Sequence, residues 1–530
     1  RIDAEFKGSP DQLLQLRLTV GDAYRNRGEM VAARRVFQRA VDEAAPVLPA
    51  DDLQLLTARV RAADHRLIVS TAASAQLDRA IEILRTEADQ NPAAAELLID
   101  ALLIQHELVT SFGVPAYEVA EANVRRLHEA EQVAIRSFGD GSLPHLKVAT
   151  PFAELIAMRK GADEARKSLE PIVVQAQRRG DEVTGKAPFI EATAVLAAFK
   201  CGSGEVAEGL DTLWNTIAMV RGAHGSASFL YESMLNPLAE CLEAADDATA
   251  SGLMAEAYEI ASARERPPST NLLRRAQGAF DAAVGLRDVK GSERYYRAAL
   301  ENAEAIPEDA LRERLMMDLK LGRVCQLAQR GDAEDAERVA APIIAIFNAE
   351  YAQIGRLTPN QGGIWLCLSD AQRQQGRYDD AKRTADTFLE RCRAIKRFVS
   401  KSNCEGRALA ARALAELDAG YAAAAQATIE ERLQLSREFD GDARFAIAYG
   451  RVMIANGRAT ETLETLRQNY GGWLSNQPRS PYGAEALYWF GRAYVAAGDP
   501  RGRWMVAQAR QQLAASPVKT HQRLAARSMP

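Results

Sequence analysis

Six histidines (His65, His106, His128, His145, His224 and His521) and six cysteines (Cys201, Cys241, Cys325, Cys367, Cys392 and Cys404) are the side chains best suited to metal binding or nucleophilic chemistry. Their spacing favours neither. Two ligands on one helix face must sit three or four residues apart, and no two histidines do. No C-x-x-C pair occurs, which argues against a zinc site or a thioredoxin-like motif. Cys325 and Cys367 fall on inner helical positions and read as small buried hydrophobes. Cys392 and Cys404 flank the stretch RAIKRFVSKSN between two expected helices, and two readings stay open. A disulfide there would suit an oxidising compartment; two unpaired thiols are the alternative. The run from Gly202 to Gly209 is rich in glycine but lacks the Lys-Ser/Thr ending of a phosphate loop, so it reads as a turn between helices. No G-x-S-x-G, H-E-x-x-H or kinase signature is present. Arg391, Arg393, Lys396, Arg397 and Lys401 could hold an anion, but positive charge near a helix C-terminus is favourable without any ligand. Arg264 and Arg266 read the same way. The expectation is a chain that is not an enzyme and holds no cofactor or metal.

The elements that must position any site are short helices in pairs. In WLCLSDAQRQQGRYDDAKRTADTF, Trp365, Leu368 and Ser369 form one stripe, Gly376 breaks the helix, and Ala381, Ala385 and Phe388 face inward from a second helix. Ser369 and Ala381 let two helix backbones approach closely, while the large residues fill the space beside them. The same landmarks appear at Gly21, Tyr24, Gly28, Ala33, Phe37 and Ala40. They recur at Gly322 with a turn at Gly331, at a turn at Gly420, and at Gly450, Gly457, Gly491, Tyr494 and Gly498. Gly450 and Gly491 are 41 residues apart, as are Gly457 and Gly498. This pattern resembles the tetratricopeptide repeat, in its longer kinesin-light-chain form. It implies an all-α fold: a right-handed superhelical solenoid of antiparallel helix pairs, roughly 10–12 of them. Between Arg136 and Leu146 the link resembles that longer form, with Gly139 and Gly141 in turns, Pro144 opening the next helix and His145 a link residue. Weaker units are expected to turn at Gly161, near Gly202–Gly204, at Asp246-Asp247 and near Gly291. A break is expected near Gly113 and Pro115, and a loop from Tyr470 to Pro481. Arg266-Pro267-Pro268-Ser269 is the best candidate for a joint, since two prolines cannot continue a helix. The expected organisation is an N-terminal half-array over 1–265, a C-terminal half-array over 270–516 and a basic tail over 517–530 that frays.

In such arrays the first helix of each pair lines the concave surface, where ligands usually bind. The residue after the small close-contact position faces that groove. Here those residues are Asp22, Arg323, Asp370, Arg451 and Arg492, with Arg25 and Arg373 one turn further on. Arginine holds carboxylates or phosphates through two parallel hydrogen bonds, so a groove taking an acidic peptide segment or a chain terminus is one reading. Pairing of these arginines with neighbouring Asp and Glu is the other.

The 530 residues exceed what one compact core usually holds, and a repeat array escapes that limit. Hydrophobic residues make up 47% of the chain but aromatics only 6%, so the core is built mainly from Ala and Leu, against a β-rich fold. A net charge of −5 lends no support to nucleic-acid or membrane-surface binding. No run reaches the ~20 apolar residues that span a bilayer. The chain opens at Arg1 with no visible leader, within what reads as a helix (RIDAEF), so a longer parent protein is expected.

The opening RIDAEF…LRLTVGDAYRNRGEMVAARRVFQRAVDEA, the long repeats and the ending GAEALYWFGRAYVAAGDPRGRWMVAQARQQLAASPVKTHQRLA resemble the repeat regions of bacterial single-span signalling proteins. These are membrane-anchored serine/threonine kinases and winged-helix transcription regulators. The resemblance implies a sensor module in the periplasm, attached to the membrane only through an absent upstream segment. It would relay binding of a protein or peptide partner, acidic in the reading above, to a cytoplasmic output domain. A second copy of the chain is a further candidate partner. The alternatives are an assembly scaffold of a secretion or envelope complex, and a cytoplasmic location.

Overall fold

The computed structural model describes the chain except for residues 1–8, 27–28, 65–70, 112–115, 245–248, 286–287, 307–308, 355–361, 395–397, 436–442, 466–480, 517–518 and 528–530. The expectations for RIDAEF, Gly28, His65, Gly113 and Pro115, Asp246-Asp247, Lys396 and Arg397, and the loop after Tyr470 lie outside the described residues. Among the described residues the fold is all-α, of tetratricopeptide type, with no strand. Contacts divide it into two compact units. Unit 1 holds Arg1–Cys241, Leu253–Ala276 and Ala298–Arg314; unit 2 holds Leu242–Gly252, Gln277–Arg297 and Leu315–Pro530.

The helices follow one another in pairs. They are α1 (Pro10–Asn26) with α2 (Met30–Ala44), α3 (Leu53–Ala62) with α4 (Thr71–Glu87), α5 (Pro92–Ser111) with α6 (Ala116–Phe138), and α7 (Leu143–Lys160) with α8 (Ala162–Gln177). A single turn, α9 (Asp181–Thr184), precedes α10 (Ala187–Gly202) and α11 (Val206–His224). Then come α12 (Phe229–Ala244) and α13 (Ala250–Arg264), α14 (Thr270–Gly285) and α15 (Val289–Glu304), and α16 (Asp309–Arg330) and α17 (Ala333–Ile354). The series continues with α18 (Gly362–Gln374) and α19 (Tyr378–Arg393), α20 (Phe398–Asp418) and α21 (Ala422–Leu435), then α22 (Ala443–Ala455) with helical residues 459–465. It closes on α23 (Pro481–Ala496), α24 (Arg501–Ala514) and α25 (Lys519–Ala526).

Local sequence explains most boundaries. Gly161, Gly204, Gly331, Gly376, Gly420, Gly457 and Gly498 all sit at positive φ between the helices of a pair, where a side chain would be strained. Ser142 caps α7, accepting from the His145 N–H, and the His145 ring accepts from the Gly141 N–H at 3.1 Å. His145, expected in the link, thus stands in the first turn of α7, where its ring, 2% exposed, ties the helix start back to the link.

In unit 1, Phe37 is fully buried among Leu14, Ala33, Ala40 and Leu55, and a second cluster is centred on Leu56, Leu77, Leu84, Leu98 and Leu127. The proline joint belongs here too. Ser269 N–H donates to Asn302 at 2.9 Å, the Ser269 hydroxyl bonds Glu265, and Arg264 and Arg275 both hold the fully buried Glu232. A buried polar network of this kind holds the turn, because removing a bond to Glu232 or Glu265 would leave a buried carboxylate under-compensated.

In unit 2, Trp365 stacks on Phe388 at 6.0 Å between centroids, with Ala371, Ala385 and Cys392 packed around them. The last pair packs most closely: a Cβ on Gly491 would meet Val506 N at 2.8 Å and Gly502 O at 2.9 Å. The expected fraying tail is instead helical over Lys519–Ala526. Leu524 enters the core of the last pairs, and His521, 1% exposed, bonds Ser516 at 2.9 Å and Glu485 at 3.2 Å. The apolar stripe of this short helix is what docks it; net positive composition hid that stripe.

Candidate functional site

The groove-facing candidates fall in two places. In unit 1, Asp22 and Arg25 pair with each other at 3.0 Å, and across to α3 Asp22 bonds Arg61 while Arg25 lies 3.7 Å from Asp64. The other first helices of unit 1 carry carboxylates: Glu107 on α5, Glu154 on α7, Glu191 on α10 and Glu240 on α12. Water reaches Glu154, yet the surrounding helices limit that hydration and Glu240, Glu107 and Glu191 add repulsion, so its pKa is pushed up to about 7. An acidic ligand has no reason to favour this face.

In unit 2 the first helices α18, α20, α22 and α23 carry a ladder of opposite charges. Arg373 grips Asp418 through two hydrogen bonds of 2.8 and 2.7 Å and reaches Asp370 at 3.1 Å. Arg451 bonds the other oxygen of Asp418, and Arg444 lies 2.7 Å from Asp370. Burial opposes the Arg373 charge, but Asp418 and Asp370 more than offset it and raise its pKa. Burial likewise works against the Asp418 carboxylate, and Arg373 and Arg451 outweigh it, holding its pKa below the ordinary range. The pairing alternative therefore describes Asp370, Arg373 and Arg451. Arg323 is also paired, with Glu293 and Gln326, and lies over the Tyr296 ring at 4.8 Å.

Arg492 differs. Its one polar contact among the described residues is the Tyr488 hydroxyl at 3.5 Å, with no carboxylate partner. Beside it on α23, the Trp489 indole N–H and the Nε of Arg451, which lies over the Trp489 ring at 5.2 Å, are buried and have no acceptor among the described residues. Arg492 is therefore the groove candidate whose guanidinium is left for a carboxylate or a backbone carbonyl, whereas the Trp489 and Arg451 donors are shielded from solvent.

Asp418 and Arg444 were missed from sequence. Ala408, Ala410, Ala411, Ala413 and Ala415 are all fully buried on α20, so no single small residue marks the register there. Asp418 ends its helix and Arg444 stands at the start of α22, outside the positions that the close-contact residue identifies.

All six cysteines are bridged. Cys392 and Cys404 join α19 to α20, as one of the two readings held. Cys325 and Cys367, read as buried hydrophobes, are bonded to each other, joining α16 to α18, and Cys201 is bonded to Cys241, joining α10 to α12. Inner positions on successive first helices face one another across the stack, which brings thiols 42 and 40 residues apart within bonding reach. Among the described residues no group of metal-ligating side chains assembles, and no helix is long and apolar enough to cross a membrane.

No protein-family description matches the chain, and no curated protein matches it. Among solved structures, yeast Tom70 is similar over 97% of this chain and 99% of its own, at 11% identity and a TM-score of 0.43. The APC/C hetero-tetramer Cut9-Hcn1 is similar over 96% of this chain and 88% of its own, at 11% identity and a TM-score of 0.41. Neither likeness bears on function.

Proposed function

We propose that this chain is a non-catalytic protein- or peptide-binding sensor module, the periplasmic ectodomain of a membrane-anchored bacterial serine/threonine kinase or winged-helix regulator. The observation that carries the binding role is Arg492 at the end of the unit 2 ladder, a half-buried guanidinium with no carboxylate partner among the described residues. It would anchor a carboxylate of an extended acidic segment, while the neutralised ladder behind it holds the first helices in register. The three disulfides favour an oxidising compartment, because cytosolic thiols are kept reduced. Relay to an output domain requires that the segment bind one arrangement of the repeats more tightly than another.

Arg492→Glu is the direct test, because Arg492 has no internal carboxylate to lose. A fluorescein-labelled decapeptide of alternating Glu and Leu should bind the parent chain and lose at least tenfold in affinity to the variant, a difference of about 1.4 kcal/mol. Equal affinity for both proteins, or equal binding of a Lys-for-Glu peptide, would sink the reading. Arg451→Glu is less informative: it sets a carboxylate against Asp418 and weakens the ladder itself.

A further inference from the structure

Unit 2 contains a cleft of about 310 Å³, lined from α17, α18 and α19, that the ladder does not use. Ile344, Leu368 and Trp365 supply its apolar wall. Both faces of Trp365 are occupied, by the Phe388 ring and by the Arg391 guanidinium 4.8 Å from its centroid, so only the indole edge is left for a guest. Two amides complete the wall, and each has its carbonyl oxygen already taken. Asn348 Oδ1 accepts from Arg391, and Gln372 Oε1 accepts from the Thr384 hydroxyl at 2.8 Å. What Asn348 and Gln372 retain is their N–H donors. At the mouth, Arg377 pairs with both Asp380 and Glu337 at 2.6 Å, and Arg383 has only a share of Asp380, so Arg383 is the guanidinium left under-compensated there.

Behind the wall sits Arg391, 8% exposed. It donates to Asn348 and lies over the Tyr351 and Trp365 rings, but its Nη1 meets no acceptor and no carboxylate pairs with it among the described residues. Burial pulls its pKa below the ordinary arginine range. A buried cation without a counter-charge is costly, and an anion placed nearby would compensate it.

We propose that this cleft binds a small carboxylate carrying a compact apolar body, its oxygens toward the Asn348, Gln372 and arginine donors and its body against Ile344 and Leu368. The volume admits one residue-sized guest, at the lower end of small-molecule pockets. A free organic acid and the C-terminal residue of a protein share this chemistry. Titration calorimetry with N-acetyl-leucine, N-acetyl-leucinamide and a hexapeptide ending in a free leucine carboxylate separates them. N-acetyl-leucine should bind, the amide at least tenfold more weakly. A hexapeptide that binds tighter than N-acetyl-leucine assigns the site to a chain end, and one that binds more weakly assigns it to a free acid. The exposed pair Arg377→Glu with Arg383→Glu, checked by its helical signal, should lose at least tenfold for N-acetyl-leucine, as should Asn348→Leu. No heat of binding at about 10 mM ligand, where even millimolar affinity would register, overturns the proposal. So does equal binding of acid and amide, or unchanged affinity in both variants. Arg492 takes no part in the cleft, so Arg492→Glu should leave this binding intact whether or not the decapeptide test succeeds.

Discussion

Two carboxylates with opposite environments show how single residues tie this fold to pH. Asp418 is held below its ordinary pKa by Arg373 and Arg451. Its contribution is therefore complete above the unfolded value near 4 and is lost as pH falls through its lowered folded value. Asp418→Asn should cost about 3 kcal/mol in urea unfolding at neutral pH, since a partly buried pair loses one charge and leaves two guanidinium groups under-compensated. A cost below about 0.5 kcal/mol, the range of ordinary surface substitutions, would show that the ladder contributes no stability. Glu154 runs the other way. Its pKa is raised to about 7, so the folded form binds the proton more tightly and stability declines as pH rises from the unfolded value near 4.5 through about 7. Glu154→Gln should raise the melting temperature at pH 8 and flatten its dependence between pH 5 and 8, scanned in that pH range by circular dichroism. An unchanged profile would mean that the neighbouring carboxylates do not act on it.

Helix pairs are the next scale, and their spacing rests on small residues. Gly491 and Gly502 face each other across α23 and α24, each meeting the other's backbone where a Cβ would stand. Gly491→Leu should destabilise unit 2 by about 3 kcal/mol or more, because overpacking forces both helices to move apart. Gly450 is different despite its matching place in the 41-residue interval: a Cβ there would only touch Trp489 at 3.6 Å. Gly450→Ala should therefore cost no more than about 1 kcal/mol and gain some helix propensity. Comparable losses in both variants would mean that the two pairs are packed alike. Gly139, Gly141, Gly161, Gly204, Gly331, Gly376, Gly420, Gly457 and Gly498 have the positive φ their turns require, whereas Gly291, expected near a turn, lies inside α15. The apolar residues at Ala33, Phe37, Ala381, Ala385 and Phe388 are all buried.

Across the whole molecule, three disulfides each join a helix to the next repeat rather than to its own partner. In a stack where each repeat contacts only its neighbours, those interfaces set cooperativity. Mass spectrometry of unreduced protein should find three bonds. Losing the Cys325–Cys367 bond should cost about 1 kcal/mol more than losing Cys392–Cys404, because it closes a loop of 42 rather than 12 residues and loop entropy grows with the logarithm of length. Serine variants compared by thermal unfolding test that order. The all-α class, the pairing of helices and most turns were determined by the sequence itself, because they follow from residues within one or two helical turns of each other. Trp365, Ser369, Gly376 and Ala381 declare a pair with no reference to the rest of the chain. The site was legible only in part. Arg373 and Arg451 could be placed on the right face, but Asp418, 45 and 33 residues away from them, could not be named as their common partner. The same holds for Cys201 with Cys241. These contacts cross from one repeat to another, and the rotation of each pair on its neighbour decides which side chains meet. That rotation arises from packing summed over whole interfaces, so it belongs to the tertiary structure alone.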